Sequence, residues 1–326
     1  MHHNSGKTWI GCGGICKGIW EHPGINQGYF APTYPQIRDI FYPTVEEVAA
    51  DWGLNVKINE GNKEVHFYYG RQYRGTTICR SMEKPQTIVG FKIGNALVDE
   101  LDILPKEKAR TAWRKIIARM RYKVDGLRNG IDVTTTPEGF KFVYEQFVKA
   151  VREKTELSSL YGLVQASTFD NEKNLPADYI PSLLESYPPE LIKAYLRGRF
   201  TNLTSGTVYH QFDRQLNNCE EVEQPGEPIY IGMDFNVVVN SSNPPVKDRV
   251  NSMNAMFCNA NGERRYKVNV KRCPVYAESL EQQVWDDKGE PDKKSGNDHP
   301  NDAGGYFIVK QFPIVKPTGR VTSLRI

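Results

Sequence analysis

Paired cysteines, long apolar runs and a strong charge bias are all missing from this 326-residue chain. Its six cysteines, Cys12, Cys16, Cys79, Cys219, Cys258 and Cys273, stand at no spacing of zinc or redox type and read as reduced thiols. No apolar run approaches the ~18–20 residues of a membrane-spanning helix, and the N-terminus carries no signal-peptide pattern, so the expectation is a soluble, intracellular protein. Met1-His2-His3 is too short for a purification tag and reads as an expression scar or as a start codon inside a longer frame. Net charge is only +3, so any affinity for a polyanion has to come from local patches. With 39% hydrophobic residues over this length, the chain can bury two cores.

What is present begins at Asn4-Ser5-Gly6-Lys7-Thr8, the second half of a phosphate-binding loop of the G-x-x-x-x-G-K-[ST] type. In such a loop backbone N–H groups wrap nucleotide phosphates, the lysine contacts the β and γ phosphates, and the hydroxyl ligates Mg²⁺. Gly6, Lys7 and Thr8 fit the last three positions, while the first glycine's position falls on Met1. A lone Gly-Lys-Thr also suits an ordinary turn before a helix. The next signal is Ala96-Leu97-Val98-Asp99-Glu100, an apolar run ending in two acids, which reads as a buried strand delivering carboxylates to the edge of an α/β sheet. Asp99 would hold Mg²⁺, and Glu100 would orient and deprotonate an attacking water. A solvated strand end followed by an acidic turn, with Asp102, is the plainer reading. A third element, Thr134-Thr135-Thr136-Pro137-Glu138-Gly139, places three hydroxyls at a strand end, where they could sense a γ phosphate or simply suit a half-buried strand.

Residues 6 to 20 predict the helix after the loop, Gly28 to Ala31 a strand, Thr44 to Trp52 a helix and Val56 to Ile78 a hairpin turning at Glu60-Gly61-Asn62. Alternation of strand and helix patterns to about Thr168 predicts a mostly parallel sheet. Residues 177 to 200 read as a short helical region containing Pro188-Pro189, and the polar stretch 201 to 226 as a linker. The divisions expected are 1–200, a linker at 201–226, and 227–326. Between Lys106 and Lys123 a run of basic residues with Ala109, Trp113, Ile116, Ile117 and Met120 at helical spacing predicts an amphipathic helix, either plainly solvated or neutralising DNA phosphates.

In order along the chain, Ser5-Gly6-Lys7-Thr8, Ala31-Pro32-Thr33-Tyr34, Leu97-Val98-Asp99-Glu100, Thr134-Thr135-Thr136-Pro137-Glu138-Gly139 and Tyr230-Ile231-Gly232-Met233-Asp234-Phe235-Asn236 resemble the motifs of the large terminase subunit of tailed bacteriophages. Ile229 to Asn236 reads as an apolar strand carrying Asp234, and the segment Asp298 to Tyr306, in its plainer reading a polar loop, is similar to the last acidic motif of that family's RNase H-like nuclease. The resemblance implies a P-loop ATPase domain of the RecA/ASCE-like α/β class followed by a reduced RNase H-like domain. It implies ATP and Mg²⁺ at Ser5, Gly6, Lys7, Thr8 and Asp99, catalysis by Glu100, and coupling through Thr134, Thr135 and Thr136. Asp234 and Asp302 would be catalytic acids holding Mg²⁺ or Mn²⁺ in the nuclease. The partners implied are double-stranded DNA, a small terminase subunit and the portal protein, with a possible ring oligomer at the procapsid portal vertex in the host cytoplasm. No membrane is implied.

Two departures from the family qualify those implications. The strand that precedes the phosphate loop, expected inside the sheet, is not in this sequence, so its neighbours would be left with unpaired backbone groups unless a partner or further residues repaired them. His3 stands where the family often has a basic residue. In the second domain Val237-Val238-Val239-Asn240 follows Asn236 at once, leaving no room between Asp234 and Asp302 for the strands that carry a middle carboxylate. An internal deletion, an impaired nuclease and, as the alternative to a working motor, an inactive prophage remnant that only binds DNA or packaging partners are therefore expected. An unrelated helicase would show further motifs after Thr136, and none is present.

Overall fold

A computed structural model describes residues 6–187, 191–203, 206–234, 244–259, 261–286 and 289–313. Met1 to Ser5, Pro188-Pro189, Phe235-Asn236 and the segment from Val237 to Asn243, all singled out above, lie outside the described residues. The chain forms two compact units, Met1–Leu203 and Thr204–Ile326.

The first unit is built on a six-stranded sheet. Its strands are β1 (Gln27–Ala31), β2 (Asn55–Asn59), β3 (Glu64–Tyr69), β4 (Gln72–Ser81), β5 (Asn95–Asp99) and β6 (Gly130–Thr134), in the spatial order β2-β3-β4-β1-β5-β6. β4, β1, β5 and β6 run parallel; β2 and β3 add an antiparallel edge, so the expected hairpin is the start of a three-strand meander. β1 is buried at all five positions, as a parallel strand covered on both faces must be. Alternate residues feed two cores. Tyr29, Phe67, Cys79 and Leu97 pack with α1 (Lys7–Glu21) and α2 (Tyr42–Asp51) on one face. Phe30, Ile78 and Val98 pack with α3 (Lys106–Ile117) on the other.

Among the described residues no strand lies beyond β6, and β6 pairs with β5 alone. After Thr134 the first unit is helical, including Tyr144–Glu153, α4 (Tyr179–Ser186) and Ile192–Leu196, so the strand alternation stops well before Thr168. α3 buries Ala109, Ala112, Trp113 and Ile116 but leaves Ile117 exposed, so the apolar stripe is narrower than expected. Its basic face is partly engaged: Lys106 and Arg110 both reach Glu145.

The second unit is held by α5 (Val246–Phe257), α6 (Pro274–Gln282) and α7 (Asp298–Gln311) around Val250, Met253, Phe257, Leu280 and Ile308. Three expectations differ here. Val208, Tyr209 and Phe212, placed in the linker by the polar composition around them, are buried in this core. Ile229 to Met233 form no regular strand, and Ile229, Tyr230, Ile231 and Met233 are exposed, although Tyr230 leans on Phe307 of α7 with ring centroids 5.4 Å apart. Asp298 to Tyr306 is helix rather than a polar loop, because buried Asn301, Gly305, Ile308 and Val309 supply a helical stripe that the polar composition hid.

Candidate active site

Helix α1 starts at Lys7 because Gly6 adopts φ 73°, a left-handed conformation that a side chain would strain. The helix then lies close on the sheet. A Cβ at Gly11 would fall 2.6 Å from Leu97 Cδ2, so a larger residue would force Leu97 to shift, and the close approach brings the first turn of α1 to the carboxyl ends of β5 and β6. Register does the rest. Asp99 pairs with Thr134 across β5 and β6, and just past those ends the chain places Glu100 and Thr136.

The residues predicted from their motifs converge there. Thr8 Oγ1 donates to Asp99 Oδ2 at 3.1 Å, and Thr134 Oγ1 donates to Asp99 Oδ1 at 2.8 Å. Lys7 Nζ donates to Thr136 Oγ1 at 3.1 Å and lies 3.7 Å from Glu100 Oε1. The Thr136 N–H donates to Glu100 Oε2 at 3.3 Å. Glu100 itself sits at φ 50°, rare for a residue with a side chain and typical of a strained functional turn. Burial pushes its carboxyl above the ordinary value, an effect opposed by Lys7 and reinforced by Asp99. The three threonines divide their partners: Thr134 serves Asp99, Thr136 serves Lys7 and Glu100, and Thr135 Oγ1 accepts from the Asp102 N–H at 3.2 Å. Ser5 lies outside the described residues.

Sequence reasoning missed three members of this region. Tyr29 OH donates to Asp99 Oδ2 at 3.1 Å; an aromatic hydroxyl in a strand next to β5 was the available signal. Asp102, taken as part of an acidic turn, is fully buried, accepts from the Val143 N–H at 3.0 Å through Oδ1, and carries a carboxyl that burial pushes up to about 6. Tyr195 OH donates to Glu138 Oε1 at 2.9 Å, tying Ile192–Leu196 to the threonine segment.

The donor set around Asp99 fits a hard divalent ion. It offers one carboxylate and the Thr8 hydroxyl, both oxygen ligands, beside a lysine placed for phosphate, and Mg²⁺ is usually held by one or two carboxylates together with substrate phosphates.

The acids of the second unit are arranged differently. Asp302 Oδ1 accepts from Arg249 Nη2 at 2.6 Å, and Asp234 Oδ2 lies 3.0 Å from His299 Nδ1. The Asp234 hydrogen bond raises the His299 pKa. Burial raises that of Asp302, with Arg249 pulling it down and Asp234 and Asp298 pushing it up. Among the described residues no group of three or more His, Cys, Asp or Glu is placed to hold a metal ion. The two acids expected to bind divalent ions are thus near enough to influence one another, yet each is already engaged by a side chain. This donor set does not fit a two-ion site, which needs carboxylate oxygens open on one side.

Residues 3–216 match the family model of the terminase large subunit, T4likevirus-type, N-terminal, and residues 201–311 match that of the terminase RNaseH-like domain. Among solved structures, the chain is similar to the large terminase of a thermophilic bacteriophage, with a TM-score of 0.52 and 15% identity over 94% of this chain and 91% of that one. The same phage's terminase in complex with ADP gives 0.51 at 14% identity, and in complex with ATP-gamma-S 0.50 at 15%, each with the same coverage. At these identities the likeness is one of fold. No curated protein matches.

Proposed function

The chain belongs to the terminase large-subunit family, and from that premise we propose that its first unit hydrolyses ATP to drive double-stranded viral DNA into a procapsid. The observation that carries the reading is the meeting of Lys7, Thr8, Asp99, Glu100 and Thr136 at the ends of β5 and β6. The solution of a similar terminase with ADP and with ATP-gamma-S agrees with a nucleotide as ligand.

In this reading Lys7 moves from Glu100 toward the β and γ phosphates as nucleotide arrives, which frees Glu100 to accept a proton from the attacking water. Thr8 and Asp99 would hold Mg²⁺, which neutralises charge on the phosphates when bound. Tyr29 and Thr134 fix both oxygens of Asp99, so the carboxylate is oriented before substrate enters. Thr136 touches both Lys7 and Glu100 and so would register whether the γ phosphate is present.

The partners that follow are DNA, a small terminase subunit and the portal protein, with a ring of copies on the portal vertex in the host cytoplasm. Among the described residues no helix is long and apolar enough to cross a membrane. The second unit is proposed to be an impaired nuclease, because Asp302 is committed to Arg249 and no middle carboxylate joins it among the described residues. Mn²⁺-supported cleavage of plasmid DNA should accordingly be absent or very weak. Robust cleavage that Asp234→Ala removes would overturn the impairment.

The deciding assay is Mg²⁺-dependent ATP hydrolysis by the whole chain, with and without double-stranded DNA, beside Lys7→Ala. Turnover lost in the variant supports a packaging motor. Folded protein without turnover in any condition sinks the ATPase and leaves a remnant that at most binds its packaging partners.

A further inference from the structure

The family's last acidic motif is expected to hold divalent ions, and in this chain the same stretch of α7 is built to hold an arginine instead. The Arg249 side chain is 4% exposed, and its Nη2 donates to Asp302 Oδ1 at 2.6 Å. Its aliphatic stem crosses α7 at Gly305, where a Cβ would lie 2.7 Å from both Cγ and Cδ of Arg249. Its guanidinium carbon stands 4.7 Å from the ring centroid of Tyr306, within cation–π range. Asp302, Gly305 and Tyr306 fall at i, i+3 and i+4, one face of one helix. A carboxylate, a gap and an aromatic wall therefore make a fitted seat, and Val250 and Met253, next along α5, anchor the arginine's own helix in the core.

A guanidinium stays charged at any pH a protein experiences, so this seat carries a permanent positive charge. A divalent ion at Asp302 would have to displace that bond and then sit beside an arginine with no room to withdraw, because its stem is packed. The remaining donor, Asp234, faces His299, whose Nδ1 lies 3.0 Å from its Oδ2.

We infer that Arg249 is the resident cation at Asp302, holding in an internal ion pair a carboxylate that a metal-dependent nuclease would leave open. The second unit then closes without metal. The seat stands whether or not the first unit turns over ATP, so this inference and the ATPase reading fail separately.

Two measurements on the full chain decide it. The first is Mn²⁺ binding by isothermal calorimetry on the wild type, Asp302→Asn and Asp234→Asn. Any binding at Asp99 is common to all three proteins, so the expected result is the same stoichiometry throughout; a Mn²⁺ site present in the wild type and lost in Asp302→Asn or Asp234→Asn overturns the inference. The second is a thermal double-mutant cycle on Arg249→Met, Asp302→Asn and the pair, in EDTA. Each single change leaves a buried charge without its partner and should lower the unfolding midpoint by several degrees, whereas the pair should recover much of that loss. Additive losses would show that Arg249 and Asp302 do not neutralise each other. The calorimetry needs no arginine variant, so it decides even if Arg249→Met fails to fold.

Discussion

In the first unit Asp99 and Glu100 are approached by neutral hydroxyls, a backbone N–H and a lysine that Glu100 shares with Thr136. In the second, Asp302 is claimed by a buried guanidinium and Asp234 by a histidine. Hydroxyls orient a carboxylate without cancelling its charge, so Asp99 keeps its attraction for an incoming cation, while Glu100 is paired with a lysine that can leave it for phosphate. A seated arginine cancels that charge and blocks approach. Two acid pairs from one chain thus differ in what their neighbours leave available, and the presence of an acidic motif does not by itself decide the chemistry.

The comparison breaks most completely at Glu100. In Glu100→Gln the amide keeps the shape and can still accept from the Thr136 N–H, but it cannot take a proton from water. Turnover should fall by about 10²–10⁴-fold, the usual contribution of a general base, while nucleotide affinity stays nearly unchanged. Steady-state rates beside a nucleotide titration check both halves, and equal turnover would remove Glu100 from the mechanism. Because the wild-type base works only when ionised and burial raises its pKa, the acid limb of the rate profile should lie above the ordinary carboxylate range.

The close seat of α1 on β5 brings Lys7 and Thr8 to the first unit's acids. Gly11→Val would push a branched side chain into Leu97 and lift the first turn of α1 off the carboxyl ends of the strands. A loss of about 1–3 kcal/mol is expected from such overpacking, read as a lower urea midpoint, together with weaker nucleotide binding. Full affinity in the variant would detach the glycine contact from the site.

Much of this was legible in the sequence for the first unit and little for the second, for a physical reason. β1 and β5 are buried on both faces, so they appear as uninterrupted apolar runs, and Asp99 and Glu100 end one of them visibly. Tyr29 was hidden inside such a run, and its role at Asp99 depends on strand order, which no local pattern reveals. In the second unit Ile229 to Met233 looks like a strand by composition but lacks a partner strand among the described residues. Asp302 looked like a loop residue because Asp298 to Gly305 is polar and glycine-rich. Those glycines make room in a packed helix for Arg249 and Tyr276, a reason that only tertiary structure shows.

Asp102 sharpens the comparison from inside the first unit, since it is a buried acid with no guanidinium seated on it. Its Oδ1 accepts from the Val143 N–H, but burial still pushes its carboxyl from 3.8 to about 6. The folded state holds the proton more tightly than the unfolded chain, so the stabilising contribution is complete below about pH 4 and is lost as pH rises through about 6. Asp102→Asn keeps an acceptor for Val143 and cannot ionise. It should therefore be more stable than the wild type by about 3 kcal/mol above about pH 7, with the difference closing near pH 4. Denaturation midpoints across that range test the sign, and a variant less stable at high pH would mean the charge is compensated.

The smallest expected change tests whether hydroxyls orient Asp99 as claimed. Tyr29→Phe removes one of three donors to that carboxylate and leaves the ring stacked on Phe41, at 3.6 Å between centroids and 8° between planes. Because Thr8 still reaches the same oxygen and Thr134 the other, the net cost should be only about 0.5–1.5 kcal/mol. If Asp99 acts by holding Mg²⁺ beside the phosphates, looser orientation should raise the Mg²⁺ concentration needed for half-maximal turnover more than it lowers the maximal rate. A fall in maximal rate at unchanged Mg²⁺ demand would instead place Tyr29 in the chemical step, and the distinction between an oriented acid and a neutralised one would then need a different basis.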